Sequence, residues 1–396
     1  MTTSDTVSVH LRQVILLSYG SFILIGVLNT FLGPALPALT ARWQLNDSQA
    51  GSLFFAQFSG ALIGSAATGW LVRRLSLALL QIAGYALLSA SVALLGVSEW
   101  AGGICAIFAI GLGLGFTIPT TNLMIAESNP LRSAGALNIL NFIWGIGALL
   151  CPSVLAFFTR RNQFPGLLFG LALLLAISAI GFTRGSSRTR RNGRQNESVD
   201  ASVLRSWISP YALLTGIFIF IYVGTETSAG GWLASYTKRL GSTAGRFWAL
   251  TPSLFWAGLL LGRALAPAAL KFVSELGLVL GGLITAVCGF FLILFSRELA
   301  LLSAGAFITG LGLAAVFPTT FAIFTRTFGI LARKMVGILF MLTSLGAASV
   351  PWLVGAISER YGELRIGMGV ILFGTMVLVV LQVAIIFVLR KPKGEY

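Results

Sequence analysis

Apolar runs of roughly helix length, broken at short intervals by a few polar residues, follow one another along the whole chain. A membrane-spanning helix needs about 20 predominantly apolar residues. About twelve runs meet that need, over 13–38, 48–72, 77–97, 102–126, 134–158, 163–183, 208–237, 246–272, 276–296, 300–324, 332–357 and 366–389. The pattern predicts an all-α membrane protein with twelve transmembrane helices. The first run is too long for the apolar core of a signal peptide and is expected to stay as the first helix. Composition agrees: 56% of the 396 residues are hydrophobic and 10% charged, against about 25% charged in soluble domains.

Between the sixth and seventh runs lies "RGSSRTRRNGRQNESVDASVLR", polar, basic and rich in Ser, Asn and Gly. It reads as a linker, which predicts a six-helix bundle over 1–183, a cytoplasmic basic linker over 184–206 and a second six-helix bundle over 207–396. The two halves share a pattern. Gly26, Gly33, Gly60 and Gly64 recur as Gly224, Gly231, Gly258 and Gly262, and "GLGLGFTIPTT" from Gly111 matches "GLGLAAVFPTT" from Gly310. Gly147 and Pro152 recur as Gly346 and Pro351. Parallel six-helix repeats are a transporter architecture with a pseudo-symmetric pair of bundles and a substrate site near the midplane. Small residues at repeated positions let helices approach closely, so these glycines are expected to serve packing and hinging. The GxxxG at Gly60 and Gly64 is weak evidence for dimerisation, and a functional monomer is expected.

The formal net charge is +15, which raises nucleic acid as a partner. The placement of the basic residues argues otherwise. With a cytoplasmic N-terminus, most of the 27 Lys and Arg fall on the inner side, among them Arg73, Arg74, Arg184, Arg188, Arg190, Arg191, Arg194, Arg333, Lys334, Arg390, Lys391 and Lys393. That bias orients the chain in the cell membrane with both termini cytoplasmic, and this reading of the linker arginines is preferred over lipid binding. The expected partners are the bilayer and a small-molecule substrate, with no nucleic acid. Cys105, Cys151 and Cys288 stand singly in apolar runs and read as structural. The lone His10 lies in the N-terminal tail, and no HExxH, GxSxG or phosphate-binding GK[ST] occurs, so no enzyme, cofactor, metal site or ATP-driven step is expected.

The candidate chemistry centres on one carboxylate. Glu226 sits inside the run 208–237, where a charge at the bilayer centre costs roughly 2.5–3.5 kcal/mol on insertion scales and generally serves an ion, a substrate or a charged partner. Tyr222 lies four residues before it, on the same helical face. In the next run Ser253, Trp256 and Arg263 form a stripe. Counting rise from the helix ends puts Glu226 roughly 22 Å and Arg263 about 12 Å from the inner side, so the pair is expected about 10 Å apart in depth, and direct pairing would require tilt or a conformational change. Two readings stay open for Glu226: a fixed salt bridge with Arg263, or a coupling carboxylate that exchanges a proton or binds sodium or the hydroxyls of a polar solute. Arg263 would close the inner gate or modulate Glu226, and Trp256 would stack on the apolar face of a solute or simply pack. Asn138 and Asn141 share a face with Trp144, and their amides need partners, either a ligand or a neighbouring helix. Asn29 and Gln57 complete the polar set. Thr120 and Thr319 are expected to bond back to their own helices; Trp43, Trp70, Trp100 and Trp207 read as interface anchors.

The chain as a whole resembles the major facilitator superfamily. Within it, "YVGTETSAGGWLASY", the Gly262–Arg263 pair and "NPLRSAGALNILNFIWGIGALLCP" are similar to the branch of fucose:proton symporters and sodium-dependent glucose transporters. The resemblance implies a secondary active transporter that moves a small neutral polar solute, a monosaccharide above all, by alternating access in symport with a proton or sodium. It also implies that the third, sixth, ninth and twelfth helices face lipid. The alternative is efflux of drugs or amphipathic cations by proton antiport; a membrane-embedded enzyme or non-transporting receptor is the least supported class. Two positions depart from the family pattern: Arg73 stands where an Asp is usual, and Phe116 where proton-coupled fucose carriers tend to have a Glu, so coupling would have to rest elsewhere.

Overall fold

The computed structural model of the protein describes residues 3–72, 74–128, 133–185, 206–241 and 247–390. Linker residues 186–205, Arg73, Lys391 and Lys393 lie outside these, as do the side chains of His10, Arg184, Arg333 and Lys334.

Every element described is helical. In chain order they are α1 (Thr3–Thr30), α2 (Leu32–Trp43), α3 (Asp47–Leu71), α4 (Leu77–Val97), α5 (Trp100–Ser128), α6 (Ser133–Arg160), α7 (Phe164–Gly185), α8 (Pro210–Arg239) and α9 (Leu250–Ala269). Then follow α10 (Glu275–Phe295), α11 (Leu299–Leu313), α12 (Val316–Phe328), α13 (Ala332–Tyr361) and α14 (Leu364–Arg390). Among the described residues, 11 spans are long and apolar enough to cross a membrane, with α11 and α12 forming one of them. The run expected over 246–272 is α9, 20 residues long, which holds Arg263, Pro252 and Pro267 and is not one of these 11 spans.

Two compact units emerge. One takes the chain up to Gln44 and again from Phe55 through α7; the other takes Leu45–Phe54 together with α8–α14. The first turns of α3 thus belong with the second unit, although the same helix continues into the first.

Inside each unit the repeated glycines sit at repeated crossings. A Cβ on Gly60 would strike the Phe108 carbonyl, and one on Gly258 would strike that of Phe307; Gly111 lies against the Gln57 carbonyl, and Gly310 against that of Phe255. Gly147 packs on Ile23 and Gly26 as Gly346 packs on Phe220. Bare backbones touch at these points because nothing larger than hydrogen fits.

The runs over 13–38 and 300–324 are each interrupted. The first breaks at Phe31, between α1 and α2, where Pro34 has no N–H to donate to the Thr30 carbonyl. The second breaks at Ala314 and Ala315, between α11 and α12. Its counterpart α5 carries the equivalent proline, Pro119, yet runs unbroken. The difference lies in a neighbouring side chain. Tyr222 donates its hydroxyl to the Leu313 carbonyl at 2.8 Å and lies beside the Phe317 N–H, the two groups that an intact helix would join. A polar group inserted into the i→i−4 ladder is a known cause of helix breaks. At the matching place in the first half stands Leu24, which has no hydroxyl to insert.

Large apolar side chains stay exposed along α7 and α14, including Leu173, Ile180, Phe373 and Phe387, as lipid-facing helices require. α4 combines such exposure at Leu79 and Leu94 with buried polar groups on its other face: Tyr85 bonds Ser21 at 2.7 Å, and Gln81 bonds Thr121.

Candidate functional site

Four of the expected site residues meet in the second unit, on facing stripes of α8 and α9. Glu226 lies near the middle of the 30-residue α8, roughly 24 Å of rise from Pro210 and 20 Å from Arg239. Its Oε1 is 3.5 Å from a terminal guanidinium nitrogen of Arg263, and the side chains are only 16% and 34% exposed. One turn before Glu226, Tyr222 is fully buried and stacks on Phe317 with ring centroids 6.3 Å apart. One turn after it, Gly230 makes room for Trp256, whose ring occupies the space a Cβ there would take. Trp256 also meets Phe255 edge to face at 5.2 Å.

This register corrects the expected 10 Å depth gap between Glu226 and Arg263. Trp256 is level with Gly230, so Arg263, seven residues further along the antiparallel α9, descends about 10 Å while Glu226 lies about 6 Å below Gly230. The remaining offset of about 4 Å is within the reach of the two side chains. Counting from helix ends fails because the ends of α8 and α9 are not at one level.

The pair is incompletely satisfied. The Nε of Arg263 is buried and has no hydrogen-bond partner among the described residues, and 3.5 Å is long for a charge-assisted hydrogen bond. A carboxylate near mid-helix and partly open, with one long guanidinium contact and the Tyr222 hydroxyl beside it, can exchange its charged partner for a proton, an ion or a polar solute. The buried Trp256 ring thus lies on the same stretch of α8 as the charged hydrogen-bonding groups of Glu226 and Arg263.

In the first unit the polar set is looser. Gln57 is buried, and its amide reaches the Asn29 carbonyl at 3.5 Å. The Trp144 backbone carbonyl packs against Gly26, one turn from Asn29. Asn138 and Asn141 are exposed, and Asn141 donates back to the Leu137 carbonyl of its own helix at 2.9 Å. Thr120 bonds back to Phe116 at 2.6 Å, whereas among the described residues the Thr319 hydroxyl shows no such back-bond. Trp43 donates to the Ser98 carbonyl at 3.1 Å and sits edge-on to Trp100, while Arg74 covers the Trp70 ring at 4.1 Å.

Sequence reasoning passes over a second polar cluster, around Asp47 and Arg239 in the second unit. Asp47 reads as an ordinary acidic residue at a helix start and Arg239 as a basic residue at a helix end. Nothing local signals that residues so far apart in the chain pair with each other.

Similarity to known proteins agrees with this architecture. The sequence model for the Major Facilitator Superfamily matches residues 19–328. A sodium-dependent glucose transporter 1 from Xenopus laevis is 22% identical over 369 residues, covering 83% of this chain and 73% of its own length. A glucose/galactose transporter from Brucella abortus (strain 2308) is 23% identical over 353 residues, 83% of each chain. Among solved structures, the nucleoside transporter NupG superposes with a TM-score of 0.79 at 13% identity, over 97% of this chain and 100% of its own. A bacterial homologue of the human lysosomal transporter Spinster gives 0.74 at 14%, over 95% of each. By sequence and by fold the chain belongs to the major facilitator superfamily, as a multi-pass membrane protein and a secondary transporter of a small molecule rather than an enzyme.

Proposed function

We propose that the protein moves a neutral monosaccharide across the cell membrane by alternating access, coupled to a proton or sodium ion through Glu226. The observation that carries this reading is the Glu226–Arg263 pair at mid-helix, flanked by Tyr222 and Trp256. A sugar presents hydroxyls to charged and amide groups and an apolar ring face to an aromatic, and Trp256 with Glu226 and Arg263 offers both. Gln57, Asn29, Asn138, Asn141 and Trp144 are assigned to the first-half side of substrate recognition. Arg263 acts as the gating group that holds Glu226 until an ion or proton takes its place. The names of the glucose and galactose transporters that the chain is similar to support a sugar over other polar solutes.

Efflux of amphipathic cations by proton antiport is the alternative reading, in which the cation would take the place of Arg263 beside Glu226. Both termini are assigned to the cytoplasm on the basic bias of the inner loops.

The test is a substrate panel in proteoliposomes. Labelled glucose, galactose and fucose are expected to enter the lumen and to compete with one another, whereas lipophilic cations should neither enter nor compete. Transport of the cations with no uptake of any sugar would replace this reading with efflux.

A further inference from the structure

Within the second unit a groove opens at the surface where α10 ends and α11 begins. Phe291, Leu292, Phe295, Ser296 and Leu301 line it, around a volume of about 330 Å³. The Phe291 and Phe295 rings stack at 5.5 Å yet stay 45% and 68% exposed. They are one helical turn apart, so the apolar wall runs about 6 Å from the helix end toward the membrane interior.

Charges of both signs gather at the mouth of this groove. The Arg365 guanidinium lies over the Phe295 ring, 5.3 Å from its centre. Arg297 and Glu298 follow Ser296 directly, in a turn held by the Glu298 N–H, which donates to the Ser296 hydroxyl at 3.1 Å. Arg365, Glu363 and Arg297 all lie close enough to act on the Tyr236 hydroxyl, which donates at 3.3 Å to the carbonyl of Ile293, midway in the chain between the two phenylalanines. Among the described residues none of these four charges enters an ion pair, and the Glu298 side chain makes no capping bond to α11.

We propose that the groove seats one phospholipid whose headgroup carries a primary ammonium, of the phosphatidylethanolamine type, with an acyl chain against Phe291, Phe295 and Leu301. The chain alone selects nothing, because bilayer tails are already as apolar as the groove. Selection falls to the charges at the mouth. Arg297 and Arg365 present N–H groups suited to phosphate oxygens, while Glu298 and Glu363 present acceptors for the N–H donors of an ammonium. An anionic headgroup without an amine would satisfy the arginines but meet two carboxylates, and a choline headgroup brings a cation with no N–H to donate. Two positive and two negative groups therefore fit a zwitterion with a hydrogen-bonding cation. The site involves neither cargo nor Glu226 and needs only the membrane-spanning fold.

The test counts bound lipid by native mass spectrometry of the whole protein, released from mixed micelles holding equal amounts of phosphatidylethanolamine, phosphatidylglycerol and phosphatidylcholine. One phosphatidylethanolamine per chain is expected to be retained, preferred roughly tenfold over each of the others, the scale of one charge-assisted hydrogen bond. Glu298→Gln with Glu363→Gln should erase the preference over phosphatidylglycerol, whereas Arg297→Gln with Arg365→Gln should lower retention of all three lipids. Leu301→Trp, which fills the groove, should lower retention with the four charges left in place. None of these positions is buried, so the variants are expected to fold, and a monodisperse elution profile in detergent identifies those that do. Equal retention of the three lipids by the parent, a preference for phosphatidylglycerol, or a preference for phosphatidylethanolamine that survives both double variants would overturn the proposal.

Discussion

At the scale of residues, the Glu226–Arg263 pair explains why a carboxylate is tolerated at the middle of an apolar helix. Neither charge stands alone, and neither is fully enclosed. Removing one partner leaves the other in a poorly solvated place. Arg263→Ala is therefore expected to lower stability by about 1–3 kcal/mol, less than the roughly 3–5 kcal/mol of a fully buried pair because a third of the arginine is exposed. Adding Glu226→Gln to it should recover part of the loss. A double-mutant cycle on thermal unfolding in detergent checks this; additive losses would show that the two side chains do not sense each other. Glu226, Tyr222, Trp256 and Arg263 could all be picked from the sequence because polar and aromatic residues in apolar runs are few. The Glu226–Arg263 pairing stayed one of two open readings there, since it depends on how far α8 and α9 slide along one another.

At the scale of elements, the glycines and one tyrosine set the helix geometry. A Cβ on Gly258 has no room against the Phe307 carbonyl, whereas Gly281 has open space around it. Gly258→Ala is expected to lose about 1–3 kcal/mol through overpacking, while Gly281→Ala should gain roughly 0.5–1 kcal/mol of helix stability. Melting curves of the two variants, measured side by side, would reveal equal shifts if the crossing were not tight. Tyr222→Phe removes the hydroxyl held in the α11–α12 interruption and is expected to cost about 1 kcal/mol. The glycine repeat made the crossings legible in the sequence, because equal spacing in two halves implies equal contacts. The α11–α12 break was not legible, since Pro119 and Pro318 stand in matching motifs and only the distant Tyr222, set against Leu24, distinguishes them.

At the scale of the whole molecule, the apolar runs and the repeat were enough to indicate an all-helical membrane protein of two related halves, and the match to the superfamily over residues 19–328 agrees. The membership of Leu45–Phe54 in the second unit was hidden, because it rests on contacts between segments far apart in the chain. The basic bias predicts that reporter domains fused to either end both lie in the cytoplasm; a periplasmic or extracellular signal from one of them would break the even-span topology. The central claim is that Glu226 couples cargo to an ion gradient. Its most direct test is uptake of labelled glucose or galactose by proteoliposomes under an imposed proton or sodium gradient, with Glu226→Gln beside the parent. The account predicts accumulation above equilibrium in the parent, and in the variant loss of accumulation with sugar exchange retained. Accumulation that persists unchanged in Glu226→Gln would contradict it.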